Sequence, residues 1–143
     1  MPETGVYDEL IMDHIKNARN YRGVSDATHS ASAENPLCGD EISIVVRIDR
    51  ASIGDIGFQC TCCGISMASA SIMTEMVIGK SKADARDLVR DFKSLVAQPD
   101  AAFDLLDSSQ WRALAETLRR FPARVQCASL PWNTLERVLS SAD

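Results

Sequence analysis

Four alternating positions mark the clearest element of the chain. Ile42, Ile44, Val46 and Ile48 alternate with Ser43, Val45 and Arg47, the period of a half-buried strand. Ile53 to Cys60 reads as a second strand with Ile56 and Phe58 on one face. Asp49 to Ser52 supplies the turn between them, which predicts an antiparallel hairpin. The polar stretch from Asn17 to Asn35 reads as a long loop with a short edge strand near Ala27 to Ala33. Elsewhere the spacing is helical. Val6, Leu10, Ile11, His14 and Ile15 predict a helix over Val6 to Asn17. Ile65, Ala68, Ile72 and Met76 predict another from Ile65 to Ile78, with Gly79 as its stop. Ala85, Leu88, Val89, Phe92 and Val96 form the stripe of a third, capped by Ser81 to Asp84 and ended by Pro99. A helix or pair of helices covers Ala101 to Arg120, with Leu105, Leu106, Trp111, Leu114 and Leu118 as core candidates, and Pro122 breaks it. A last helix runs from about Ala128 to Ser140, with Pro131 in its first turn. The expected fold is α+β: a small antiparallel sheet of about three strands packed against several helices.

Composition narrows the classes. With 143 residues, 45% hydrophobic and 24% charged, the chain is an ordinary globular one, expected to form a single domain over 1–143. A net charge of −5 shows no basic nucleic-acid footprint. No apolar run approaches the ~18 residues of a membrane span. Met1 to Glu9 carries no apolar h-region, which predicts no secretory signal and a cytoplasmic location.

Cysteine is the unusual residue: Cys38, Cys60, Cys62, Cys63 and Cys127. In a reducing compartment, clustered cysteines point to metal or sulfur chemistry rather than to disulfide staples. Cys38 falls in a turn before the first clear strand, Cys63 between a strand and a helix, and Cys127 just before the last helix. Helix N-termini favour a thiolate, the form that binds metal and attacks sulfur. Asp40, two residues past Cys38, lets one turn offer sulfur and oxygen together. Cys38, Asp40, Cys63 and Cys127 thus make a three-sulfur, one-oxygen set that suits tetrahedral zinc or a two-iron cluster. The remaining polar and soft residues read more plainly. His14 sits on an apolar stripe as a core residue, His29 is solvated, and Met67, Met73 and Met76 are helix packing. Arg119, Arg120 and Arg124 read as a solvated face, with an anion or partner contact open beside Cys127.

Several motifs, in order, resemble the U-type iron–sulfur cluster assembly family, which includes IscU, SufU and the NifU N-terminal domain. Val6 to His14 followed by Asn17-Ala-Arg-Asn20 is similar to the family's opening helix and N-P-R-N turn, with Ala18 in the proline place. Asn35-Pro-Leu-Cys-Gly-Asp40 resembles the first cysteine motif, Phe58 to Met73 the second, and Arg124-Val-Gln-Cys-Ala-Ser-Leu-Pro-Trp132 the third. The long stretch between Cys63 and Cys127, Arg124, and Gln126 in place of a histidine resemble the SufU branch. No L-P-P-V-K segment is present, so a dedicated chaperone partner is not expected.

The resemblance implies a SufE/NifU-like fold and a sulfur carrier or scaffold rather than an evident enzyme. It implies that Cys38, Asp40, Cys63 and Cys127 bind zinc or an assembling [2Fe–2S] cluster, and that Cys38 accepts persulfide sulfur. It also implies a PLP-dependent cysteine desulfurase of the SufS or IscS kind as partner, and apo iron–sulfur proteins as recipients. Monomer and dimer both stay open. The departure from the family is Cys60 and Cys62, which occupy the two glycine places before Cys63. Either one substitutes for Asp40, serves as a second relay or resolving thiol, or is drift without a role. Outside sulfur transfer, the cysteines also fit a structural zinc domain, or a redox enzyme pairing Cys62 with Cys63 or Cys60 with Cys63.

Overall fold

A computed structural model describes residues 6–35, 39–97 and 109–141. Helix α1 (Val6–Lys16) leads through a loop to β1 (His29–Asn35), β2 (Asp40–Asp49) and β3 (Ser52–Thr61). Then follow α2 (Gly64–Val77), α3 (Lys82–Ala97), α4 (Ser109–Arg120), a 3-10 turn (Pro122–Arg124) and α5 (Val125–Ser141). The strands form one antiparallel sheet in the order β1-β2-β3. The expected α+β architecture is the one observed.

The sheet follows from its alternation. Ile42, Ile44 and Val46 are buried on one face with Ile56 and Phe58 of β3, and Ile44 lies opposite Phe58. Only Arg50 and Ala51 separate the paired Asp49 and Ser52, and both have positive φ (59° and 118°), as a two-residue hairpin turn requires. The edge strand runs two residues later than the polar pattern suggested, because its pairing with β2 begins at His29 and ends at Asn35 opposite Asp40.

Helix α5 lies over β1 and β2, and α2 packs against α5 and also touches β3. Trp132, Leu135, Val138 and Leu139 of α5 are fully buried, and the Trp132 ring stacks on Phe92 of α3 with centroids 4.8 Å apart. Helix α2 shows more than the single apolar face its spacing predicts. Ser66, Ala68, Ser69, Ala70, Ser71, Ile72, Met73 and Thr74 are all buried. Its small residues let α1 and α5 approach closely, and its hydroxyls serve backbone and side chains of those neighbours. Ser69 donates to the Ala128 carbonyl at 2.7 Å and accepts from the Trp132 indole at 3.0 Å. Ser71 contacts His14 Nδ1 at 2.6 Å and accepts from the Arg19 N–H at 2.8 Å. His14 is thus the buried residue its stripe predicted.

Helix boundaries also differ from expectation. α1 ends at Lys16, one residue early, and α5 begins at Val125 rather than about Ala128, because the 3-10 turn feeds straight into it. Pro131 therefore lies inside α5, not in its first turn. Leu105, Leu106 and the Trp111 side chain lie outside the described residues, while Leu114 and Leu118 are buried as expected.

Candidate metal and sulfur site

Asp40, Cys63 and Cys127 come from three different elements and converge. The carboxylate and two sulfurs lie within 4.8 Å of one another. Asp40 is the first residue of β2 and is buried. Cys63 is the N-cap of α2, half-buried, with no side-chain capping bond, so its sulfur is not spent on the helix. Cys127 is buried in the first turn of α5, not ahead of the helix, since the helix starts two residues earlier than the cysteine.

The residue that ties the three together is Ser66, which the sequence reading did not single out. Its hydroxyl lies 2.7 Å from Asp40 Oδ2 and 2.7 Å from the Cys127 carbonyl, sharing one hydrogen between two acceptors. The Cys63 thiol donates to the same oxygen at 3.7 Å. Asp40 Oδ1 accepts the Cys63 backbone N–H at 3.2 Å. The Cys127 carbonyl is open to Ser66 for a reason in α5. Pro131, four residues on, has no N–H to donate to it, and its ring crowds that carbonyl. The signal lay in the sequence as a proline at i+4 from a candidate ligand.

Arg124 closes the site electrostatically. Its guanidinium is held above its ordinary pKa, first by a hydrogen bond to Cys127, then by the charges of Cys63, Cys127 and Asp40. It is exposed, as a solvated face predicts, yet it stands against the sulfurs.

Cys38 lies outside the described residues. Beside it, Gly39 takes φ +75° and donates its N–H to the Asn35 carbonyl at 2.8 Å, a conformation that suits glycine and delivers the chain to Asp40. Cys60 and Cys62 are joined to each other by a disulfide, with Cα atoms 5.5 Å apart, rather than either being joined to Cys63. One intervening residue at a strand end brings the two side chains together, whereas Cys63 occupies the N-cap position of α2.

Two sulfurs and an oxygen, beside the positive charge of Arg124, are a donor set that zinc accepts, and three such groups would leave a fourth position for another. No described helix is long and apolar enough to cross a membrane.

Comparison with known proteins places the chain in a family. Residues 6–128 match the family described as NifU-like N terminal domain. The zinc-dependent sulfurtransferase SufU of Bacillus subtilis is 37% identical over 92% of this chain and 88% of its own length. The iron–sulfur cluster assembly scaffold protein IscU of Streptococcus pyogenes is 36% identical over 94% of this chain and 82% of its own. The crystal structure of a protein assigned as the cluster assembly scaffold of the SUF system in Fervidobacterium islandicum superposes with a TM-score of 0.79. It is 28% identical and is covered over 99% of its chain by 96% of this one. The chain belongs to the NifU-like N-terminal domain family, the U-type iron–sulfur cluster assembly proteins that include SufU and IscU.

Proposed function

We propose that this chain takes up sulfane sulfur from a PLP-dependent cysteine desulfurase for iron–sulfur cluster assembly. In this reading Cys38 is the acceptor, and Cys38, Asp40, Cys63 and Cys127 hold zinc between rounds. The observation that carries the reading is the convergence of Asp40, Cys63 and Cys127 within 4.8 Å, braced by Ser66 and faced by Arg124.

The transfer is a thiol exchange. The Cys38 thiolate attacks the outer sulfur of the desulfurase persulfide, the S–S bond breaks, and the desulfurase thiolate leaves. Cys38 then carries the persulfide. Zinc, when bound, keeps the thiolates deprotonated and quenched. Arg124 supplies positive charge where a thiolate is formed or released. Asp40, a harder ligand than the thiolates, is suited to exchange.

A second reading, a scaffold on which a [2Fe–2S] cluster is built and handed to apo-proteins, draws on the same donor set and on the likeness to IscU. Anaerobic purification with metal analysis separates them. Colourless protein with about one zinc per chain supports the carrier. Brown protein with iron and sulfide supports the scaffold. A transfer assay with a desulfurase then tests the acceptor: Cys38→Ser abolishes persulfide uptake, and undiminished uptake overturns the assignment. Zinc retained with no uptake by the unaltered chain would leave a structural zinc domain.

A further inference from the structure

Cys60 and Cys62 stand outside the Asp40–Cys63–Cys127 group, and sulfur uptake assigns them no task. Their placement is specific. Cys60 sits one residue from the end of β3, paired with Ile42 of β2. Tyr21 clasps its backbone, donating to the Cys60 carbonyl at 2.9 Å and accepting the Cys60 N–H at 3.3 Å. Cys62 lies on the two-residue link between β3 and α2, next to Cys63. One sulfur is thus anchored on the sheet and the other rides on the segment that delivers a site ligand. Both cysteines are partly exposed, the setting of disulfides that open and close rather than of inert structural ones. An open pocket of about 330 Å³, lined by Tyr21, Glu41, Gln59, Cys60 and Thr61 among others, lies beside Cys60.

The chemistry of the cargo supplies the need. The outer sulfur of a persulfide must gain two electrons to become sulfide. A dithiol that closes to a disulfide yields two. We propose that Cys60 and Cys62 are a built-in two-electron couple that reduces sulfane sulfur held at the neighbouring site and releases it as sulfide. The inference rests on the sulfur-uptake reading above. In the first step the Cys60 thiolate attacks the outer sulfur of the acceptor's persulfide. The acceptor leaves as thiolate and Cys60 carries the persulfide. Cys62 then attacks the inner sulfur of that persulfide, the S–S bond breaks, and hydrosulfide departs. In sum, one persulfide and two thiols give one thiol, one hydrogen sulfide and the Cys60–Cys62 disulfide, with sulfur reduced and the cysteine pair oxidised. The disulfide seen here is the spent form. A dithiol reductant, protein or small molecule, returns it to the dithiol by ordinary exchange.

The test uses the full chain, reduced, freed of reductant without oxygen, and charged by a catalytic amount of desulfurase with one equivalent of cysteine. Sulfane sulfur is read by cyanolysis, sulfide colorimetrically, and the Cys60–Cys62 link by mass after alkylation. The unaltered chain is expected to release about one sulfide per chain while the disulfide forms. Cys60→Ser, Cys62→Ser and the double variant are expected to keep the sulfane sulfur and release about tenfold less sulfide. Equal sulfide release by the double variant overturns the inference. So does an unaltered chain that holds its sulfur with both cysteines reduced. If the desulfurase charges neither chain, the uptake reading fails separately, and glutathione persulfide added to the reduced protein decides the inference. Disulfide formation matched by sulfide then supports it, and its absence overturns it. Far-UV circular dichroism confirms that each variant is folded.

Discussion

Ser66 concentrates more of the site in one hydroxyl than any of the proposed ligands does. It is buried, and it touches Asp40, the Cys127 carbonyl and the Cys63 thiol. Ser66→Ala removes the buried hydroxyl that serves both Asp40 and the Cys127 carbonyl, so it should lower stability by about 1–3 kcal/mol. Urea unfolding measures this, and a zinc competition assay should show weaker retention because Asp40 and Cys127 are less firmly placed. Arg124 acts differently, by charge. Arg124→Ala should slow iodoacetamide alkylation of the metal-free site thiols several-fold at neutral pH, on the order of tenfold at most, with Arg124→Lys intermediate. The residue scale is also where the sequence was hardest to read. Cys63 and Asp40 announce their chemistry by type and spacing. A serine in a run of small helical residues does not, because its partners lie 26 and 61 positions away in the chain. The pairing of Cys60 with Cys62 was equally silent, since adjacent cysteines offer three pairings and only the strand end selects one.

Among elements, the hairpin was legible because burial on one face leaves a period of two, while α2 was read as amphipathic when its surroundings bury it almost all round. Small residues carry little hydrophobic contrast, so periodicity understates a helix whose task is close approach. The start of α5 was misplaced for a related reason. A proline suggested a first turn, but here it stands mid-helix. The joint between α1 and α2 also carries a pH dependence. His14 is buried, and burial foremost, with the nearby Arg19 charge, holds its pKa below the ordinary histidine value. Glu75 and Asp13 pull the other way. The folded state therefore binds fewer protons than the unfolded one near and below ~6.5. Stability from this group is complete above that pH and is lost as pH falls through the depressed folded value. Urea midpoints should decline below about pH 6.5, and His14→Gln should flatten that part of the profile.

Over the whole molecule, the proposed ligands arise from β2, α2 and α5, three elements that also wall the core. A metal bound across them binds the folded chain and not the unfolded one, so loading and stability are linked. Free zinc at about one hundred times its Kd should raise Tm by roughly 5–10 °C. Calorimetry with and without a chelator measures the shift, and Asp40→Ala should reduce it. The architecture itself was readable from pattern alone. The meeting of its parts was not, because convergence of residues 40, 63 and 127 is a property of how the layers stack.

Pro131 shows what that convergence asks of an ordinary helix. By withholding one N–H it leaves the Cys127 carbonyl to a donor on α2. A substitution such as Pro131→Ala would mend the helix ladder and make α5 a better helix by any local measure. It would also set up a rival for the carbonyl that Ser66 now serves, turning a cross-link between two helices into a bond within one. The most stable form of α5 and the best-braced form of the site are therefore different sequences, and this chain has the second.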